Sequence, residues 1–257
     1  MDGYKSEFAH PLSRSLPHLT TQLAWWQQSP PALKQSLDWI VVEVTPTPSP
    51  GLAQRLRQHR VTYLHLACAG PFHKTRALNL ALNQAQGEYI AAFDVDLIPL
   101  GQTLLRHRQL AAQSPQLLVT GYRLMVAQAT VDPAALDDPG ALASLLAGAA
   151  LGPEDQPSAL RKHLLHGERF GVMPLFRRDR LLKVGGWDET FVGWGAEDQE
   201  LIERYLGREQ ALCRCPDLTY LHLHHGAAEH WNSPQLTAQN RAHYYGLQNA
   251  ALWASEH

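Results

Sequence analysis

Tyr89-Ile90-Ala91-Ala92-Phe93-Asp94-Val95-Asp96 is the stretch on which the fold is decided. Five apolar and aromatic residues read as a strand, Tyr89–Phe93, that runs straight into two carboxylates one residue apart. The apolar Leu97-Ile98-Pro99 follows at once, so the acidic pair sits between buried segments rather than in a surface turn. In sheets whose strands alternate with helices, ligands bind beyond the carboxyl ends of the strands. Asp94 and Asp96 stand at such an end. Two carboxylates at this spacing can serve two ligands at once: one can hold a divalent cation while the other reaches a ribose or sugar hydroxyl. A cation is needed there when negative charge grows on a departing diphosphate.

Upstream, strands and helices alternate. Leu19–Leu37 reads as helical, interrupted at Pro30-Pro31. Asp38–Val44 is a β-branched strand, Thr45–Gly51 a turn, Leu52–His59 a short helix and Val61–Cys68 a second strand. Thr75–Gln86 is a helix with Gly87 as its C-cap. This alternation predicts an α/β fold with a mostly parallel central sheet flanked by helices. Downstream, Gln128–Pro157 is rich in Ala, Pro, Gly and Asp and carries no strand pattern. It reads as a loop-and-helix insertion, a candidate cover over one face. Phe170–Phe176 reads as a strand, Arg177–Val184 as a basic helix, Gly185-Gly186 as a turn, Glu197–Gly207 as an amphipathic helix and Leu218–Leu223 as a short strand ending in histidines.

Composition bounds the function. The 257 residues are 45% hydrophobic and 18% charged, which suits one globular α/β unit. A formal net charge of -2 offers no basic excess for a nucleic-acid partner. Three cysteines, Cys68, Cys213 and Cys215, do not form a disulfide framework and fit a reducing compartment. The mixed, charged start Met1–His10 has no apolar core of a signal peptide or anchor. The most apolar stretch, Ala141–Leu151, is too short to span a bilayer, which needs about 20 residues. The expectation is a cytoplasmic protein without a membrane span.

Two further clusters carry chemistry. In Gly185–Glu200, glycines bracket Trp194 and an acidic pair, Glu197-Asp198, that opens a helix, where the macrodipole favours charged carboxylates. A carboxylate there can act as general base toward a hydroxyl, and Trp194 offers a flat face for a sugar ring. In His222-Leu223-His224-His225, imidazoles beside a carboxylate suit Mn²⁺ better than Mg²⁺. A structural zinc site built from Cys213, Cys215, His222 and His224 is the competing arrangement, although Cys-x-Cys lacks the usual finger spacing.

In this order and spacing the three clusters resemble the inverting GT-A glycosyltransferases, with the closest look to the beta-1,4-galactosyltransferase C-terminal region and to chondroitin-polymerase-like family 2 enzymes. The resemblance runs from about Arg14 to Asn232 and is densest from Phe170 to Gln199, within the specific string RFGVMPLFRRDRLLKVGGWDETFVGWGAEDQELIER. It implies one GT-A domain, its donor-binding half to about residue 100 and its acceptor-binding and catalytic half beyond. It implies transfer from a UDP-sugar to an acceptor hydroxyl, of a glycan above all, with Mn²⁺ (or Mg²⁺) and inversion. By the same resemblance Asp96 and His225 would bind the metal and His222 would be a second protein ligand. Asp94 and Val95 would lie against the donor, with Glu43 and Arg14 on the uridine side and Lys74 and Arg76 near the phosphates. Asp198 would be the catalytic base. Trp194, Gly195 and Glu197 would hold donor sugar and acceptor, and Arg169 stands where the family selects the donor sugar. The alternatives are a retaining enzyme of the polypeptide N-acetylgalactosaminyl type, a catalytically idle nucleotide-sugar-binding protein, and a nucleotidyltransferase, for which a Gly-rich triphosphate loop is missing at the first strand.

Overall fold

The computed structural model describes residues 4–8, 12–159, 169–208, 210–225 and 233–256. Its first sheet contains β1 (Tyr4–Phe8), β2 (Trp39–Thr45), β3 (Thr62–Ala67) and β5 (Ala92–Asp94) in the order β3-β2-β1-β5, every pair parallel. The connecting helices are α1 (Leu12–Gln28), α2 (Pro31–Ser36), α3 (Leu52–Gln58) and α4 (Lys74–Gln84). Successive residues of β2 face opposite ways. Val41 packs with Leu19, Leu23, Trp26 and Leu56 on one face, and Ile40, Val42 and Val44 pack with Ala77, Leu78, Ala81 and Leu82 on the other. Burial on both faces is why β2 reads as a continuous apolar run.

A second, mixed sheet has the order β6-β10-β7-β8. Its strands are β6 (Leu97–Pro99), β7 (Leu117–Met125), β8 (Ala150–Leu151) and β10 (Ala211–His222). β10 is parallel to β7 and antiparallel to β6, and β8 is antiparallel to β7. β4 (Tyr89–Ile90) and β9 (Phe176–Arg177) form an antiparallel pair. The remaining helices are α5 (Thr103–Gln113), α6 (Pro139–Ala147), α7 (Arg178–Lys183), α8 (Glu197–Leu206) and α9 (Pro234–Glu256). No helix among the described residues is long and apolar enough to cross a membrane.

The structure is α/β as expected, but several boundaries move. The charged start hides β1, which pairs with β2 on one side and β5 on the other. Ladder bonds on both edges, not an apolar run, make Tyr-Lys-Ser-Glu-Phe a strand. Tyr89–Phe93 is two strands in two sheets, β4 and β5, divided at Ala91. Phe170–Phe176 is not one strand: Met173 sits at φ 51, which breaks the extended run, leaving a bridge at Val172 and β9. Gly87 is not the cap of α4, because Ala85 already leaves the helix in extended geometry. β10 begins seven residues before Leu218, and a register shift between Arg214 and Thr219 masks its pattern.

The insertion is capped where its chemistry says. Asp132 accepts from the Ala134 N–H and Asp138 from the Ala141 N–H, starting a 3-10 turn (Pro133–Leu136) and α6. It also supplies β8, a strand its composition did not announce. Val131, Leu136, Leu145 and Leu146 pack against Ile98, Val126, Leu221 and Leu223, beside the end of β10.

Candidate functional site

Asp96 lies in the turn between β5 and β6. Pairing of Leu97 with His222 carries that turn to the end of β10, and the Leu223 N–H donates to the Asp96 carbonyl at 2.8 Å. Asp96 Oδ2 is then 3.3 Å from His225 Nε2 and 3.7 Å from His222 Nε2. Among the described residues these are the one trio of His, Cys, Asp or Glu placed to hold a metal, their ligand atoms all within 4.8 Å of one another. His222 Nδ1 lies 3.1 Å from the Leu223 carbonyl, which can only accept. Nδ1 therefore carries the proton and the Nε2 lone pair faces Asp96. Burial pushes the His222 pKa down, partly opposed by the Asp96 charge, so the ring is neutral as a ligand must be. Asp96 Oδ1 is buried and accepts no hydrogen bond among the described residues. One carboxylate and two imidazoles fit a borderline divalent ion.

The zinc arrangement is not formed. Cys213 and Cys215 lie on β10, and at about 3.3 Å per residue Cys215 is roughly 20 Å from His222 along the strand. All three cysteines are free.

The acidic pair occupies the start of α8. Glu197 is buried, and Asp198 is partly exposed, at 40%. Lys74, the first residue of α4, places its Nζ 3.1 Å from Glu197 Oε1 and 2.9 Å from Asp198 Oδ2. Glu197 Oε2 accepts the Gly195 N–H at 2.7 Å. Burial pushes the Glu197 pKa up; Lys74 opposes the shift and the Asp198 charge adds to it. The loop before α8 is held in unusual backbone: Gly193 at φ 77, Gly195 at φ 116 and Ala196 at φ 66, a conformation that a residue with a Cβ rarely adopts. Asn240 of α9 donates to the carbonyls of Val192 (2.9 Å) and Trp194 (3.2 Å), and Thr237 donates to Trp194 at 3.3 Å. α4 follows β3, so Lys74 lies at the carboxyl edge of the parallel sheet, the edge where β5 delivers Asp94 and Asp96.

Comparison with known proteins bears on this geometry. A family profile described as the N-terminal domain of galactosyltransferase matches residues 158–226, about a quarter of the chain, including α8 and both candidate histidine ligands. No curated protein matches the sequence. Among solved structures, GalNAc-T7 with UDP, GalNAc and Mn²⁺ superposes with a TM-score of 0.62 at 13% identity, over 95% of this chain and 47% of that one. S. aureus TarS in complex with UDP-GlcNAc gives 0.56 at 15% identity, over 91% and 61%. The mannosyltransferase PcManGT from Pyrobaculum calidifontis, with GDP-Man and Mn²⁺, gives 0.55 at 17%, over 88% and 57%. The fold is that of the GT-A glycosyltransferases. The chain spans between about half and three-fifths of the length of these three structures.

On this GT-A frame the other expected residues separate. Val95 is buried in the core, and Asp94 is half-buried with its carbonyl held by Gln22. Glu43 is buried, and its carboxylate accepts from the Ser49 N–H and hydroxyl, Tyr63 and Thr45. Burial pushes its pKa up, but these hydrogen bonds outweigh burial and hold it below the usual range. Glu43 thus ties down the Thr45–Gly51 turn. Arg76 is exposed, 3.8 Å from Glu189. Arg169 is not brought to the site. Its N–H donates to Glu203 and its guanidinium to the Gly207 carbonyl, at the far end of α8, about 15 Å along the helix from Glu197. The Arg14 side chain lies outside the described residues.

Two supporting amides escaped the sequence reading. Gln22 lies on the stripe Leu19, Gln22, Leu23, Trp26, and Asn240 lies one helical turn before Tyr244. A polar residue inside an apolar helical stripe is the signal that would have found Gln22, since a buried amide must be hydrogen-bonded.

Proposed function

We propose that this chain is a glycosyltransferase that moves a sugar from a UDP-sugar to an acceptor hydroxyl, on a glycan above all, with a divalent cation and inversion at the anomeric carbon. The observation that carries the reading is the Asp96, His222 and His225 trio, with a buried carboxylate oxygen that has no hydrogen-bond partner among the described residues, on the same sheet edge as Asp198. Asp96, His222 and His225 would hold Mn²⁺, which when bound supplies positive charge to the departing diphosphate. The presence of Mn²⁺ in two of the superposed structures and of a UDP moiety in two supports the choice of metal and donor.

Asp198 is the general base in this reading. It takes the acceptor hydroxyl proton as that oxygen bonds to the anomeric carbon and the bond to the diphosphate breaks. Lys74 orients Asp198, and Trp194 offers its face to the acceptor. The insertion at residues 128–157 is the segment that excludes competing water. Its stem is stitched to the ligand segment, with the Val126 N–H donating to the His222 carbonyl and the His224 N–H to the Gln128 carbonyl. The reading also keeps the donor-binding half to about residue 100, the acceptor half beyond it, and the reducing, cytoplasmic setting.

A retaining enzyme is the second reading, favoured by the superposition on GalNAc-T7. The test is product analysis by NMR with a panel of UDP-sugars and GDP-mannose. Inverted anomeric configuration from one UDP-sugar, lost in Asp198→Asn, supports the proposal. Retained configuration, or full transfer by Asp198→Asn, overturns the single displacement.

A further inference from the structure

We infer that Gln22 is a positioning residue for the cation: it sets the turn that aims Asp96 at His222 and His225. The inference rests on the cation reading above. Gln22 is fully buried, and its Nε2 donates to the carbonyls of Asp94 (2.8 Å) and Leu97 (2.9 Å). A primary amide has two N–H bonds, and both are spent on the carbonyls that bracket Val95-Asp96. This is the point where the chain leaves β5 in one sheet and enters β6 in the other, and among the described residues no ladder partner spans the turn itself.

His18 lies one helical turn earlier on the same face of α1, and its Nε2 is 3.1 Å from the His224 carbonyl, between the two histidine ligands. One face of a single helix therefore grips both segments that deliver ligands, and the Leu223 N–H to Asp96 carbonyl bond joins those segments to each other. Gln22 bears on the ligands through the backbone carbonyls it holds. Ligand geometry must be held to about half an ångström for tight binding, which is the tolerance such a bracket enforces.

The test is titration with Mn²⁺ alone, read by the EPR signal of the free ion, with thermal unfolding of each variant alongside. Gln22→Met keeps the volume and removes both N–H donors. It is expected to raise the apparent Mn²⁺ dissociation constant on the order of tenfold, as loss of an outer-shell partner does. Leu23→Ala, in the core of the same helix, is expected to lower Tm more while leaving Mn²⁺ affinity near wild type. Asp96→Asn is expected to abolish binding. If Gln22→Met binds Mn²⁺ like wild type while Asp96→Asn does not, the inference fails and the cation reading stands. If Leu23→Ala and Gln22→Met lose affinity in proportion to their loss of Tm, Gln22 acts through stability alone and the inference fails. Wild type that binds no Mn²⁺ overturns both. Should Gln22→Met not fold, Gln22→Asn, too short to span both carbonyls, carries the same expectation of weakened binding, and unchanged affinity in it is equally fatal.

Discussion

Asp96 and Glu197 are both buried carboxylates at one edge of the parallel sheet, yet the chain provides for them differently. Glu197 has an ammonium 3.1 Å from one oxygen and a backbone N–H 2.7 Å from the other, both from its own chain. Asp96 has one oxygen facing two imidazoles, at least one of them neutral, and another oxygen with no hydrogen-bond partner among the described residues. A buried charge without a compensating cation is costly. The α8 corner is thus completed by the protein, whereas the β10 corner has the chemistry of a site completed by a metal. In the proposed reading the contrast follows from the two tasks: the base Asp198 has to be ready before substrate arrives, and the metal corner has to leave room for its ion.

The largest effect expected from this contrast is on rate. Asp198→Asn should lower transfer about 10²- to 10⁴-fold while Mn²⁺ affinity stays at the wild-type value, read by single-turnover kinetics and metal titration. Loss of metal binding in that variant would merge the two corners and break the comparison.

Next comes stability. Lys74→Met leaves Glu197 buried beside Asp198 with no cation, and should cost about 3 kcal/mol in urea unfolding. The double variant Lys74→Met/Glu197→Gln should regain part of that loss. A single variant as stable as wild type would mean that Lys74 does not neutralise the corner.

A comparable pH effect is expected beneath the metal corner, where buried His107 bridges the Tyr220 hydroxyl and the Val119 carbonyl. Burial lowers its pKa from 6.5 to about 4. The unfolded chain therefore binds a proton that the folded one refuses between these values, and stability is full above pH 6.5 and falls as pH drops toward 4. The loss is roughly 3 kcal/mol at the low end. His222, also pushed down by burial, adds in the same direction. His107→Gln, which keeps donor and acceptor without titrating, should flatten the profile measured by denaturant unfolding between pH 4.5 and 7.

The smallest effect concerns the acceptor side of the acidic corner. Asn240→Ala removes one hydrogen bond to each of the carbonyls of Val192 and Trp194, about 1 kcal/mol apiece, while the Thr237 hydroxyl still donates to Trp194. Acceptor KM should rise up to about tenfold, with donor KM and Mn²⁺ affinity unchanged. A donor effect of equal size would place the Trp194 loop on the other substrate.

The placement of both corners was legible in the sequence because it depends on residue type. Asp96, His222, His225, Glu197 and Asp198 each stand where the pattern put them relative to a strand end or a helix start. What escaped depends on partners far away in the chain. β1 is polar and exists by pairing on both edges, and the shifted register of β10 hides half of its length. The pairing of Lys74 with Glu197 escaped because nothing local reveals a partner 123 residues later. Arg169 read as a site residue because it stands where the family selects the donor sugar, but its partners Glu203 and Gly207 hold it at the far end of α8 from Glu197.

The central claim is that the β10 corner holds the cation required for transfer. The most direct measurement is UDP release after treatment with EDTA and titration back with Mn²⁺, for wild type and Asp96→Ala, in the presence of donor and acceptor. The account predicts activity that returns with Mn²⁺ in wild type and does not return in Asp96→Ala. Full release in EDTA, or the same Mn²⁺ response in both proteins, would contradict it.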